Sequence, residues 1–85
     1  MTATDIEATV HEWIAEHTTH AGALSTSSRL VAEGWLDSMQ IVHLVEFLEK
    51  RFTVAIDLDE MVPENFDTVP QVAGMVERSL SRQQT

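Results

Sequence analysis

Ser38 is the residue of this 85-residue chain best placed to do chemistry. It stands in Gly34-Trp35-Leu36-Asp37-Ser38-Met39-Gln40, where an irregular stretch gives way to a strongly periodic one. From Ile41 the apolar residues fall at 41, 44, 45, 48 and 52, the spacing of one helix face. A helix start collects backbone N–H groups that lack intrahelical acceptors, and the aligned peptide dipoles make it positive. A hydroxyl there has two uses. It caps the helix, the common role for Ser or Asp at such a point, or it carries a phosphate-linked group that the N–H groups hold well.

Other chemistries fare worse. A catalytic serine needs a base within hydrogen-bond reach and a group to orient that base. His43 is five residues on along the same helix, so its ring does not point back to Ser38. The flanking residues do not read Gly-x-Ser-x-Gly, and a chain this short leaves little room for a hydrolase pocket. His11, His17, His20 and His43 are the histidines. His17 and His20 are three apart at the end of the first expected helix, but no cysteine joins them, and solvated side chains outweigh a zinc site. Asp57-Leu58-Asp59-Glu60 begins like a calcium loop, then continues with Met61 and Val62 and has no glycine at the sixth position. The acids from Asp57 to Asp67 are therefore expected to form a partner-facing or solvated surface. No metal site is expected.

Composition narrows the classes further. The length makes one domain. A hydrophobic content of 44% suffices for a modest core, and 5 basic against 14 acidic residues give a net charge of −9. Such a surface repels nucleic acid and anionic membranes and favours basic partners. There is no cysteine, so any thiol chemistry must arrive with a cofactor. Met1 to Asp5 lacks the basic and apolar regions of a signal peptide, and no stretch is long enough to span a bilayer. These features lead us to expect a cytoplasmic, monomeric, free-standing unit.

The elements that must position Ser38 follow from periodicity and punctuation. Thr4-Asp5-Ile6-Glu7 has capping-box spacing with Thr4 as N-cap, and Ile6, Val10, Trp13, Ile14 and His17 share one face, so a helix is expected over about 4–18. Thr18, Thr19 and Gly22 end it. From Thr19 to Asp37 no helical period holds; this long loop is pinned by scattered apolar residues, with Leu36 as an anchor and Gly34 supplying a positive φ. The second helix covers about 38–51, with Ile41, Leu44, Val45, Leu48 and Phe52 facing the core. Met39, Val42, Glu46 and Lys50 form a second stripe, so Met39 and Val42 are expected to stay partly exposed beside Ser38. Phe52 to Ile56 is too short and isolated for a sheet and reads as an extended connector. Asp57 to Glu60 and Pro63 to Phe66 suggest short helical turns, with Phe66 plugging the core. Asp67 or Thr68 caps the last helix, whose inner face is Val69, Val72, Ala73, Val76 and Leu80, and Ser81 to Thr85 forms a polar tail. The expected fold is all-α: a small four-helix bundle of three main helices and one short one, with the long loop between the first and second, structured over about 4–80.

Leu36-Asp37-Ser38-Met39 followed by Ile41, Val42, Leu44, Val45 and Leu48 resembles the attachment motif of acyl carrier proteins, and the resemblance runs from about Ile6 to Leu80. It implies that Ser38 carries 4′-phosphopantetheine delivered from coenzyme A. Asp37 and Met39 then help a phosphopantetheinyl transferase engage, and Met39, Val42, His43 and Glu46 form the partner surface. The arm ends in the thiol that the chain lacks, and acyl groups ride on it as thioesters. By this resemblance the chain is not an enzyme. An adenylating enzyme or acyltransferase loads it, and a downstream synthase or transferase takes the cargo.

The chain also departs from the family. Gln40 and His43 stand two and five residues after the serine, where acidic residues are usual; Lys50 falls on the same side, and Glu46 replaces a common apolar contact. Val62-Pro63-Glu64-Asn65-Phe66 resembles free-standing carriers of polyketide and nonribosomal peptide assembly, some of which take an amino acid, more than those of fatty acid synthesis. Asp37 before Ser38 departs from the Gly-Gly-x-Ser of peptidyl carriers and favours the acyl side. The rival from another class is a small acidic interaction adaptor in which Ser38 only caps a helix.

Overall fold

Three amphipathic segments fold as helices because each buries an apolar face in a common core. The computed structural model describes residues 3–18 and 22–83. Helix α1 spans Ala3–His17, α2 spans Ser38–Phe52 and α3 spans Val69–Gln83. Two 3₁₀ turns, Leu58–Glu60 and Pro63–Phe66, lie between α2 and α3, and there is no strand among the described residues. The short fourth helix of the expected bundle is thus a pair of separate 3₁₀ turns. None of these helices is long and apolar enough to cross a membrane.

On α1, Ile6, Val10 and Ile14 are fully buried and Trp13 nearly so. Each such aliphatic side chain withdrawn from water contributes about 1.5–3 kcal/mol before chain entropy is counted. This stripe packs on α3, which buries Val69, Val72, Ala73 and Val76 as expected and Met75 and Ser79 as well. Ser79 is tolerated there because its hydroxyl donates to the Met75 carbonyl at 3.0 Å. Thr4 lies inside α1, so it is not the N-cap that its spacing suggested.

The described part of the long loop is ordered by three buried anchors, Leu30, Trp35 and Leu36. The N–H groups of Trp35 and Leu36 both donate to the Leu30 carbonyl, at 2.7 and 3.0 Å, and Leu30 N–H donates to the Asp67 carbonyl at 2.6 Å. Gly34 turns the chain with φ 84°, a conformation costly for any residue with a Cβ. His11 Nε2 donates to the Leu24 carbonyl at 3.1 Å and ties the loop to α1. The loop therefore delivers Asp37 and Ser38 to a fixed place.

The far end of α2 is closed by Thr53 at φ 52°, ψ 57°, a left-handed conformation unfavourable for a β-branched residue. Gln83 holds it there, donating to the Thr53 carbonyl at 3.1 Å and accepting from Ala55 N–H at 2.8 Å. Ser81 to Gln83, expected as the start of a polar tail, thus continue α3 and brace the connector; Gln84 and Thr85 lie outside the described residues.

Candidate functional site at the start of the second helix

Two adjacent residues compete to cap α2, and Asp37 wins. Its backbone is extended, with φ −110° and ψ −179°, and its carboxylate accepts from Gln40 N–H at 2.8 Å. Gln40 reaches back, its Oε1 accepting from Asp37 N–H at 3.1 Å. Together these bonds make a reciprocal capping box. Ser38 is therefore the first helical residue and not the stopper, which removes the structural use of its hydroxyl. That hydroxyl is exposed, and among the described residues nothing hydrogen-bonds it. The N–H groups of Ser38 and Met39 lie at the first turn, where a helix offers no internal acceptor.

The side chains around Ser38 divide cleanly. Ile41 is half-buried, while Leu44, Val45, Leu48 and Phe52 face the core. Met39 is 64% exposed and Val42 47%, and His43 and Glu46 are exposed beside them. At about 100° per residue, His43 sits roughly 140° around the helix from Ser38, so its ring is not aimed at the hydroxyl. His43 and Glu46 instead rim an open groove of about 450 Å³ whose floor is Phe47 and Trp13. Of the His17 and His20 pair, His20 lies outside the described residues; His17 stacks on Trp13 with ring centroids 4.3 Å apart. No metal-binding cluster exists among the described residues.

Among the acids from Asp57 to Asp67, Glu60 corrects an expectation. Glu60 leaves the surface, while Asp57 and Asp67 keep partly exposed carboxylates in ion pairs. Glu60 is buried at 8% exposure. Its carboxylate accepts from Arg78 at 2.8 Å and from Arg82 at 3.3 Å. Asn65 donates to the Glu60 carbonyl at 2.6 Å and accepts from Arg78 at 3.2 Å. The hydrogen bond from Arg78 holds the Glu60 carboxyl below its ordinary range, against the opposing effect of desolvation. Asp57 pairs with Arg82 and Asp67 with Arg29, each at 2.9 Å. Asp59 and Glu64 alone stay free for solvent or a partner.

Sequence reasoning passed over Gln40 as a structural residue. The signal was present: Asp37-Ser38-Met39-Gln40 has the Asp-x-x-Gln spacing of a capping box. The arrangement as a whole offers one exposed primary hydroxyl, unengaged, at the positive end of a rigid helix. That donor set fits a phosphodiester-linked prosthetic group of the kind the attachment motif implies, since two N–H groups stand ready for its charge.

No family model matches the chain, and no curated protein does. Solved structures do match. One is a Bradyrhizobium japonicum glycine:[carrier protein] ligase complexed with glycylated carrier protein; the matched chain is 30% identical, with TM-score 0.66, over 86% of this chain and 96% of that one. Another is the same ligase complexed with its cognate carrier protein and an analogue of glycyl adenylate, at 28% identity and TM-score 0.66 over 95% of this chain and 97% of that one. Near-complete coverage in both directions makes the matched chain one of this chain's size.

Proposed function

Because this chain belongs to the carrier proteins, we propose that it carries aminoacyl or other small acyl groups as thioesters on a 4′-phosphopantetheine arm attached to Ser38. The observation that carries this reading is the state of the Ser38 hydroxyl: exposed at the first position of α2, with capping assigned to Asp37. When attached, the arm supplies the thiol that a chain without cysteine lacks. The protein's own residues do the rest. Asp37 fixes the helix start, the first-turn N–H groups favour the phosphodiester, and the core stripe of α2 keeps the attachment point rigid.

Catalysis is left to partners. Met39 and Val42, apolar and exposed beside Ser38, form with His43 and Glu46 the surface on which a phosphopantetheinyl transferase and a loading enzyme dock. Asp37 and Met39 lie nearest the first of these. The glycylated relative supports an adenylating ligase over an acyltransferase as loader, and an amino acid as cargo. Such cargo suits nonribosomal peptide, polyketide or related specialised biosynthesis, where a downstream transferase or synthase collects it.

Intact-mass spectrometry tests the assignment. Incubated with coenzyme A and a promiscuous phosphopantetheinyl transferase, the wild type gains one phosphopantetheine and Ser38→Ala gains none. An unmodified wild type overturns the reading. It leaves instead an acidic adaptor that uses Met39 and Val42 without any arm.

A further inference from the structure

One side chain holds the first turn of α2 in two directions. Gln40 Oε1 accepts from Asp37 N–H at 3.1 Å and completes the capping box. Its Nε2 also donates at 3.2 Å to the carbonyl of His17, the last residue of α1. A helix end leaves such carbonyls without internal donors, so the bond satisfies α1 while it straps the start of α2 to it. His17 is a firm post for that strap. Its Nδ1 donates to the Trp13 carbonyl at 2.9 Å and its ring stacks on Trp13. Trp13 in turn stacks on Phe47 of α2, centroids 6.1 Å apart. A closed circuit of contacts therefore runs from the start of α2, across the end of α1, and back to α2 further along.

Ordering a glutamine side chain costs rotamer entropy, and here that ordering occurs two residues from the attachment point. We propose that Gln40 is a positioning residue for the modification of Ser38. By clamping the first turn of α2 to the end of α1, it presents the Ser38 hydroxyl in one orientation to the enzyme that modifies it. This rests on the phosphopantetheine reading. Gln40 touches neither the hydroxyl nor the incoming group; it acts through Asp37 and the backbone. Met39 and Val42 lie outside the clamp, so docking is separable from presentation.

Two variants and a control test it. Gln40→Ala loses both bonds of the side chain, from Asp37 N–H and to the His17 carbonyl, and keeps the backbone N–H bond to the Asp37 carboxylate. Gln40→Glu keeps an acceptor for Asp37 N–H but has no donor for the His17 carbonyl. Each is incubated with coenzyme A and a promiscuous phosphopantetheinyl transferase at varied carrier concentration, and amide exchange is followed on the unmodified protein. Both variants are expected to lower kcat about tenfold, as loss of orientation does, with KM within about twofold and faster exchange at Gln40 and Ile41. Gln83→Ala removes the bonds to Thr53 and Ala55 and nothing near Ser38. It is the control for general destabilisation and is expected to load at the wild-type kcat. Gln40 variants that load like the wild type, or are slowed no more than Gln83→Ala, or leave exchange at Gln40 and Ile41 unchanged, overturn the positioning role while the attachment reading stands. A wild type that accepts no arm overturns the attachment reading itself.

Discussion

Two polar regions of this protein use charge in opposite ways. Around Glu60 a carboxylate is withdrawn from water and met by Arg78 and Arg82, with Asn65 filling the remaining positions. At the start of α2 the polar groups of Asp37 and Gln40 satisfy each other and the backbone, and the hydroxyl between them, with the apolar Met39 and Val42, is left to solvent. The first region spends its polarity to fasten the 3₁₀ turns onto α3. The second fastens itself so that something else is available. In a chain of net charge −9, conspicuous acids therefore marked structure, and a neutral hydroxyl marked function.

Substitutions sharpen that contrast. The largest effect on stability is expected from Arg78→Ala, which leaves Glu60 buried with one guanidinium fewer. Chemical denaturation should show a loss of about 2 kcal/mol, with the kcat of Ser38 modification unchanged. The same corner governs acid behaviour. The folded Glu60 carboxyl titrates below its ordinary 4.5, so its stabilisation is complete above that value and is lost as pH falls through the lower folded value. The stability difference between wild type and Arg78→Ala should accordingly be full at pH 7 and shrink below about pH 4. Equal differences at pH 7 and pH 3 would contradict the role assigned to this carboxylate.

The docking face comes next. Met39→Glu and Val42→Glu change exposed residues, so stability should stay within about 0.5 kcal/mol. The KM for the carrier in transferase assays should rise about tenfold, or about 1.4 kcal/mol. A rise confined to KM here, against a fall confined to kcat in the Gln40 variants, separates docking from presentation. Smallest is Thr53→Gly at the far end of α2. Relief of the left-handed β-branched residue should raise stability by about 1 kcal/mol without altering modification at all.

Much of this was legible in the sequence because it is local. The apolar spacing of α1, α2 and α3, the positive φ at Gly34, the exposure of Met39 and Val42 and the burial of Phe66 all follow from period, punctuation and residue type. What escaped was pairing across distance. Arg78 and Arg82 lie eighteen and twenty-two residues from Glu60, and Gln83 lies thirty from Thr53; no periodicity announces such partners, so the acids read as surface and the last turn of α3 as tail. Met75 and Ser79 were missed for a related reason: α3 is packed over a wider arc than one stripe. At the site itself the position of Ser38 was clear, but Asp37 and Ser38 are both good caps. Only the extended backbone of Asp37 and its exchange with Gln40 decided between them.

The central claim is that the hydroxyl of Ser38 is the tether point. Tandem mass spectrometry of the wild-type protein after treatment with coenzyme A and a phosphopantetheinyl transferase tests it most directly. The account predicts a single phosphopantetheine on the peptide containing Ser38, localised to that residue. Attachment at any other serine or threonine, or none anywhere on a folded protein, would contradict it.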